Sequence, residues 1–209
     1  MQVTEIVELS KSRSKVYIDQ EFAFVLYKGE LRLYKLREGQ EISEVTYQTI
    51  MNEVLPKRAK LRAMNLLQSR DYTTAKLRQK LKQGFYPEAV IEQALDYVAS
   101  YHYTDDCRYA VSYITCHEDT RSRRRIEQDL MNKGIDSRTI EKAWAEWETS
   151  GGVQDEQKMI CDLLKKKKYD PNHTDPKEVQ RIYAFLARKG YSGEQIRKAM
   201  RSDFLEEID

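Results

Sequence analysis

The sequence predicts a mainly α-helical protein, with three tandem three-helix repeats in a curved, elongated array and a small N-terminal β-hairpin or antiparallel sheet region. Three observations predict this class. A set of apolar positions, the apolar frame, recurs three times between residues 77 and 200. Charged residues make up 33% of the 209 residues and apolar residues 40%, with few glycines and prolines, as in helix-rich proteins. The first 40 residues instead contain β-branched and aromatic runs.

The N-terminal region, residues 1–42, is predicted to be β-rich. Polar breaks at residues 19–21 and 28–30 suit hairpin turns between its apolar runs. We therefore expect a small antiparallel sheet, or a hairpin that leads into a helix. The stretches that predict strands are residues 3–9, 16–18, 22–27 and 31–36.

A linking helix is predicted next. Ser43 is a suitable N-cap for a helix over residues 44–55, and Pro56 predicts a helix start or a kink. A second helix is expected over residues 57–70. The apolar side chains that we expect to pack inward are Val45, Ile50 and Val54, followed by Leu61, Ala63, Met64 and Leu67.

The apolar frame predicts a helix, a tight turn and a second helix in each repeat. An i, i+4 apolar pair lies on one face of a helix, and a second stripe at i, i+3 and i+4 follows after a break. Units of this kind stack because none can bury its apolar face alone. The three copies are Leu77, Leu81, Ile91, Ala94 and Leu95; Ile126, Leu130, Ile140, Ala143 and Trp144; and Ile182, Leu186, Ile196, Ala199 and Met200.

The break inside each repeat predicts a left-handed turn. Gly134 and Gly190 follow the second apolar position by four residues, where glycine adopts a left-handed cap without a Cβ clash. In the first copy Phe85 holds this position and Gly84 precedes it. We therefore expect the first turn to differ slightly from the other two.

Thr73 and Ser122 each lie four residues before the first frame position and are predicted N-caps. Apolar runs upstream, at residues 59–67, 109–114 and 159–164, supply the third helix of each repeat. The domains predicted after the β-rich region are 43–103 (linking helix and repeat 1), 104–150 (repeat 2) and 151–209 (repeat 3).

Several function classes find no support in the chain. It has no P-loop, no G-x-S-x-G and no H-E-x-x-H motif, so we predict no enzyme and no cofactor. Cys107 and Cys116 would face opposite sides of a helix, which argues against a metal site. With Cys161 they are expected as free thiols, buried or half-buried. No membrane span and no secretory signal are predicted, which favours the cytoplasm.

Charge is segregated along the chain. Residues 57–83 carry a net charge of +8, residues 84–120 a net of −6, and the tail 203–209 a net of −4. Such segregation favours oriented contact with a charged partner. The alternative is that basic and acidic helices of the chain face each other, and the sequence leaves both interpretations open.

Cations in three places are candidates for contact with phosphates or an acidic protein surface. The arginine cluster is favoured for function because four guanidinium groups within five residues repel one another unless they are solvated or paired. A lysine run is equally well explained as a solvated helix end. The candidates are Lys57, Arg58, Arg62, Lys76 and Lys80; the arginine cluster Arg121, Arg123, Arg124 and Arg125; and the lysine run Lys165, Lys166, Lys167 and Lys168.

Tyrosine is abundant, with fourteen in the chain. Stacking on nucleic-acid bases is one use, and sealing contacts between helical units is the more common one. The tyrosines that cluster near the end of the first repeat are Tyr72, Tyr97, Tyr101, Tyr103 and Tyr109.

Taken together, these residues resemble the RecX family of regulatory proteins over about residues 56–200. The family has a glycine before the aromatic residue of its Asp-Asp step, and His102 takes that place here. The positions that carry the resemblance are Arg58 and Ala59 through Leu67; Tyr72 and Thr73 before Leu77 and Leu81; Tyr103, Thr104, Asp105 and Asp106 before Tyr109 and Ala110; and Ile126, Leu130, Gly134, Ile135 and Ile140.

The resemblance implies a non-enzymatic modulator of the RecA recombinase. Family members lodge in the groove of the RecA–single-stranded-DNA filament and limit its growth or stability, which lowers its activities and modulates recombinational DNA repair and the SOS response. Some members also bind DNA directly. The partners implied are therefore the RecA filament and single- or double-stranded DNA, with a monomeric protein and no membrane. No catalytic residue is implied.

A stand-alone helical DNA-binding module is the alternative, since short helix-turn-helix units can enter a major groove. The chain shows no clear dimerisation segment, and its net charge of +2 is low for that role.

Overall fold

The computed structural model describes residues 1–201, so the acidic tail at 203–209 lies outside the described residues. The chain forms two compact units, Met1–Asp105 and Asp106–Asp209. The first contains an antiparallel sheet and five helices among its described elements, and the second contains six helices. The predicted class, mainly helical with a small N-terminal sheet and three three-helix groups, is confirmed.

The sheet has three antiparallel strands in the order β1 (Val3–Ser10), β2 (Arg13–Ile18) and β3 (Glu21–Tyr27). The predicted strands at 3–9, 16–18 and 22–27 are confirmed. Asp19 and Gln20 join β2 to β3 with φ values of 50° and 71°. Two residues with positive φ match the right-handed twist of a hairpin, which explains why this short polar break makes a tight turn.

The prediction of a strand at 31–36 is wrong, because the chain forms helix α1 (Lys28–Leu33) there. Glu30 is the physical reason. Its carboxylate accepts a hydrogen bond from the Tyr27 backbone N–H at 2.7 Å and caps the helix, so residues 28–30 start a helix instead of forming a hairpin turn. Leu33 is 70% exposed and Leu36 is buried, so the partial alternation reflected a helix end.

A long helix links the sheet to the first repeat. It consists of α2 (Glu44–Thr49), a π-helical segment (Ile50–Val54) and α3 (Leu55–Leu67). The Leu55 N–H bonds the Ile50 carbonyl, five residues earlier, directly before Pro56. Proline lacks an N–H and crowds the preceding turn, and a π-bulge is one of the few ways to accommodate that crowding within a helix.

Ser43 caps this helix as predicted, since its hydroxyl accepts a hydrogen bond from the Thr46 N–H at 3.1 Å. Ile50 and Ala63 are buried, in agreement with the prediction. Val45 and Leu61 were predicted to pack inward and are instead 77% and 62% exposed. Leu61 and Ala63 are two residues apart on α3, about 200° around the helix, so they cannot face the same side.

Helices α4 (Thr74–Lys82) and α5 (Glu88–Ser100) complete the first unit. The Thr73 hydroxyl accepts from the Lys76 N–H at 3.2 Å, which confirms the predicted N-cap. One hydrophobic core joins the sheet to the helices of this unit. Its helical side includes the whole first copy of the apolar frame, all of it buried: Leu77, Leu81, Ile91, Ala94 and Leu95.

The second unit contains two three-helix groups, each with its own core. The frame residues of both groups are buried except Met200, which is half-buried. Cys107 is half-buried and Cys161 buried as predicted, whereas Cys116 is exposed because it lies on the outer face of its helix. The helices are α6 (Asp106–His117), α7 (Arg123–Asn132) and α8 (Ser137–Thr149), then α9 (Glu156–Lys166), α10 (Pro176–Arg188) and α11 (Gly193–Ala199).

The predicted left-handed turns are present in the second and third repeats, where Gly134 and Gly190 have φ values of 86° and 98°. The first turn was expected to differ slightly, but Phe85 holds the same position with a left-handed φ of 63°. His102, which stands where the RecX family has glycine, has a φ of 56°. A left-handed backbone favours glycine because it has no Cβ, so one conformational requirement accounts for these positions.

Candidate functional site

The predicted cations fall into two groups: some are already neutralised by an acidic side chain, and the others have no such partner among the described residues. Arg58 of the first unit is neutralised and half-buried. Its guanidinium pairs with Glu30, donates to the Val25 carbonyl at 3.1 Å and lies 4.6 Å from the centre of the Tyr27 ring. Arg58 therefore holds α3 against β3 and α1, and its charge is already paired within this unit.

The basic helix α4 faces the acidic helix α5 in part. Arg78 binds Glu88 at 2.6 Å and Glu92 at 2.9 Å, and Lys82 binds Glu88 at 3.0 Å. Hydrogen bonds from Arg78 lower the pKa of Glu92, bonds from Lys82 and then Arg78 lower that of Glu88, and bonds from Glu92 raise the pKa of Arg78. The facing-helix explanation of segregated charge is thus correct for these residues.

The remaining candidates of the first unit point into solvent. Lys57, Arg62, Lys76 and Lys80 are exposed, and the Lys76 ammonium donates to the neutral Gln79 at 3.3 Å. Within residues 1–201 none of the four has an acidic partner. These cations can therefore meet an anionic group without first breaking an ion pair.

The arginine cluster is mostly neutralised within the second unit. Arg121 donates to Asp129 at 2.7 Å and to the Tyr113 hydroxyl at 2.6 Å, and Arg125 lies 3.3 Å from the other Asp129 oxygen. The Asp129 side chain is only 13% exposed, so it is a well-shielded counter-ion. The mutual repulsion of these guanidinium groups is relieved by pairing.

Arg123 and Arg124 differ sharply although they are adjacent. Arg123 binds Glu127 at 3.2 Å and Glu148 at 3.0 Å, and its guanidinium lies 4.4 Å from the centre of the Trp144 ring. Arg124 is exposed and has no acidic partner in the part of the chain that the structure describes. It is the member of the cluster most open to an external ligand.

The lysine run ends helix α9. Lys165 and Lys166 lie in its last turn, and Lys168 ends it with a left-handed φ of 53°. All four lysines are exposed, and Lys167 lies 4.9 Å from the centre of the Phe185 ring. This placement favours the solvated helix end, where cations stabilise the helix dipole.

Sequence reasoning missed two cations that the fold brings to the arginine cluster. Arg121 and Arg125 line a cleft of about 350 Å³ with Arg188 and Lys189 of the third repeat. The Ser122 hydroxyl donates to the Lys189 carbonyl at 2.8 Å and so joins the two repeats. The sequence did predict the cap at Ser122 and the turn at Gly190, but neither prediction reveals that this cap and this turn contact each other.

The tyrosines divide between packing and exposure. Tyr72 and Tyr97 pack against the core of the first unit and Tyr109 against that of the second repeat. Tyr101 and Tyr103 stack with ring centres 6.0 Å apart and remain 58% and 46% exposed. Residues 1–201 contain no group of three or more His, Cys, Asp or Glu side chains placed to hold a metal ion, and none of their helices is both long and apolar enough to cross a membrane.

Comparison with known proteins identifies related sequences along nearly the whole chain. Residues 59–97, 105–143 and 154–200 match the models of the first, second and third three-helix domains of RecX. The regulatory protein RecX of Caldanaerobacter subterraneus subsp. tengcongensis is 30% identical over 202 residues, which are 96% of this chain and 98% of that protein. The regulatory protein RecX of Clostridioides difficile is 28% identical over 204 residues, covering 95% of this chain and 93% of that protein.

Solved structures show the same fold. A crystal structure of regulatory protein RecX covers 94% of this chain and 98% of its own, with a TM-score of 0.61 and 24% identity. RecX from Lactobacillus salivarius covers 74% of this chain, also with a TM-score of 0.61.

Proposed function

This chain belongs to the RecX family, and from that premise we propose that it is a non-enzymatic, monomeric regulator of the RecA recombinase. It acts in the cytoplasm, where it binds the RecA–single-stranded-DNA filament and limits its activity, and so modulates recombinational repair and the SOS response. The observation that carries the proposal is the match to relatives named as RecX regulatory proteins over 96% of this chain. The division into segments 1–42, 43–103, 104–150 and 151–209 stays a prediction.

The cations that are already neutralised and the cations that are not have different roles in this proposal. Cations that already have acidic partners, such as Arg58 and Arg121, hold helices together. Exposed cations without an acidic partner among the described residues supply the attraction to an anionic filament. Charge of this kind raises the association rate and orients the encounter more than it adds final affinity. The cations assigned to the interface are Lys57, Arg62, Lys76, Lys80 and Arg124.

The direct test is the ATPase of RecA on single-stranded DNA while this protein is titrated in. We expect the steady-state rate to fall as the protein approaches stoichiometry with the filament. An unchanged rate at large excess would refute the proposal. Tight, sequence-specific binding to duplex DNA in the absence of RecA would instead support the stand-alone DNA-binding module.

Arg124→Glu tests the interface without disturbing a described ion pair. Reversing this charge should raise the concentration needed for half-inhibition of RecA several-fold, because it replaces attraction to the filament with repulsion. Arg138→Glu is a matched control, since Arg138 is also an exposed arginine of the second repeat. Equal effects of the two variants would assign the loss to net charge, and full inhibition by Arg124→Glu would remove Arg124 from the interface.

A further inference from the structure

The first unit contains a cationic pocket of about 440 Å³, two of whose cations, Arg62 and Lys80, are also assigned to the proposed interface. Its walls come from elements distant in sequence: the start of β2, the end of β3, α3, α4 and the turn that follows α4. The residues that line it are Arg13, Tyr27, Arg62, Lys80, Gln83, Gly84 and Tyr86.

The charge of the pocket is unbalanced. Arg13, Arg62 and Lys80 line it together, and no carboxylate lines it. Within residues 1–201 none of these three cations has an acidic partner or a hydrogen bond to another side chain. Elsewhere in this unit, Arg58 and Arg78 are neutralised by glutamates. Three converging cations repel one another, and an anion bound between them would relieve that repulsion.

The remaining wall supplies rigid hydrogen-bonding groups. A Cβ at Gly84 would lie 2.9 Å from the Tyr86 ring and 3.0 Å from the Leu81 carbonyl oxygen, so the glycine lets this ring lie close against the backbone. Burial raises the pKa of the Tyr86 hydroxyl, although Arg58, Arg62 and Arg13 act in the opposite direction. The hydroxyl therefore keeps its proton near neutral pH and can donate a hydrogen bond to an anion.

We propose that this cationic pocket is a phosphate-binding site. Two guanidinium groups present planar sets of N–H donors that match phosphate oxygens, and an ammonium group adds a point charge. The phosphate belongs either to the backbone of a single-stranded nucleic acid or to a small soluble polyphosphate. The site binds this group whether or not RecA is present, so the inference goes beyond the proposed function.

The test measures binding of the full-length protein to two probes without RecA. The first is a fluorescently labelled thymine oligonucleotide of about 15 nucleotides, and the second is pyrophosphate, as ligand and as competitor. Arg62→Gln and Arg13→Gln should each weaken binding about tenfold and lower the salt dependence of binding. Arg37→Gln is the matched control, because Arg37 is an exposed arginine of the same unit, does not line the pocket and is not assigned to the filament interface.

Each result has a defined meaning. The site and a nucleic-acid ligand are supported if pyrophosphate displaces the oligonucleotide and if only the pocket variants lose affinity for the two probes. Pyrophosphate that binds in the pocket while the oligonucleotide binds elsewhere supports a small polyphosphate. Equal losses in Arg37→Gln, or no binding of either probe to the wild-type protein, would overturn the proposal. Chemical-shift changes in wild-type protein on addition of pyrophosphate provide a readout without substitution. RecA inhibition by Arg13→Gln tests the proposed function separately, because Arg13 is not assigned to the filament interface.

Discussion

At the scale of single residues, two side chains occupy backbone conformations that favour glycine. Phe85 and His102 have φ values of 63° and 56°, where a Cβ costs roughly 1 kcal/mol. Their surroundings differ. The Phe85 ring lies 6.4 Å from that of Phe22 and 4.7 Å from the Lys15 ammonium, whereas His102 is exposed. Packing of the Phe85 ring thus offsets the cost of its backbone conformation, whereas the His102 side chain buries little surface.

We predict that His102→Gly raises the free energy of unfolding by about 0.5–1 kcal/mol, because it removes left-handed strain at an exposed position. Phe85→Gly removes the same strain and also the half-buried ring, so it should lower stability by about 1–3 kcal/mol. Urea unfolding followed by circular dichroism measures both. If the two substitutions changed the free energy of unfolding in the same direction, this explanation would be wrong.

A second residue-scale prediction concerns Tyr191, which is 4% exposed. Burial, with a smaller contribution from Glu156, raises the pKa of its phenol from 10.0 to about 12. Because the folded-state pKa is the higher one, the stabilising contribution is complete below about pH 10 and is lost as the pH rises to about 12. The stability of the wild type relative to Tyr191→Phe should fall by about 2–3 kcal/mol over that range.

Unfolding free energies of both proteins from pH 8 upward measure this difference, and other titrating tyrosines cancel because both proteins carry them. A difference that does not change with pH would mean that Tyr191 ionises as easily in the folded state as in the unfolded chain.

At the scale of elements, one buried hydroxyl joins the second and third repeats. Ser122 is fully buried, accepts from the Arg125 N–H at 3.3 Å as the N-cap of α7, and donates to the Lys189 carbonyl at the end of α10. A Cβ on Gly190 would lie 2.4 Å from the Ser122 oxygen. The turn after α10 therefore requires glycine for its backbone conformation and for the space that this hydroxyl occupies.

Gly190→Ala is predicted to cost more than a left-handed backbone alone explains. Gly151→Ala is the control, because Gly151 has a φ of 90° in the same unit and nothing within 4 Å of an added Cβ. We expect the free energy of unfolding to fall by about 1 kcal/mol in Gly151→Ala and by about 2–4 kcal/mol in Gly190→Ala, because the second substitution also disturbs a buried hydrogen bond. Thermal unfolding measures both, and equal losses would show that the space beside Ser122 does not matter.

At the scale of the whole molecule, the first compact unit has a single core, whereas each repeat of the second unit has its own. In Met1–Asp105 the sheet and the helices share one cluster of buried side chains. A segment of this size with its own core is expected to fold alone. We predict that a fragment of residues 1–105 shows helical circular dichroism and a single cooperative urea transition. A broad, sloping transition would mean that its core needs the rest of the chain.

Much of this architecture followed from local rules. The buried frame, the caps at Thr73 and Ser122 and the left-handed turns at Gly134 and Gly190 depend on spacing within a few residues, which the sequence displays directly. The pair Arg125–Asp129 was also accessible, since it spans one helical turn. Helix α1 was missed because its start depends on a cap that competes with apolar alternation.

The candidate site was less predictable because it depends on tertiary contacts. Arg58 pairs with Glu30, and Arg123 pairs with Glu148, only once the elements that carry them have packed together. The same is true of Arg13, which reaches the neighbourhood of Arg62 through the fold of a strand beside a helix. Charge density in the sequence located cations but could not separate those that bind the protein itself from those left for a ligand.

The π-helical segment at Ile50–Val54 has a consequence for how chains of this family can differ in length. Such a bulge is an α-helix with one residue too many, and each added residue turns the helix by about 100°. Deleting one residue there would restore an ordinary α-helix, but it would also rotate the buried stripe of α3 away from the sheet. Only a compensating shift in α2 would avoid that rotation. Insertions and deletions across this stretch should therefore be rare, or come in compensating pairs.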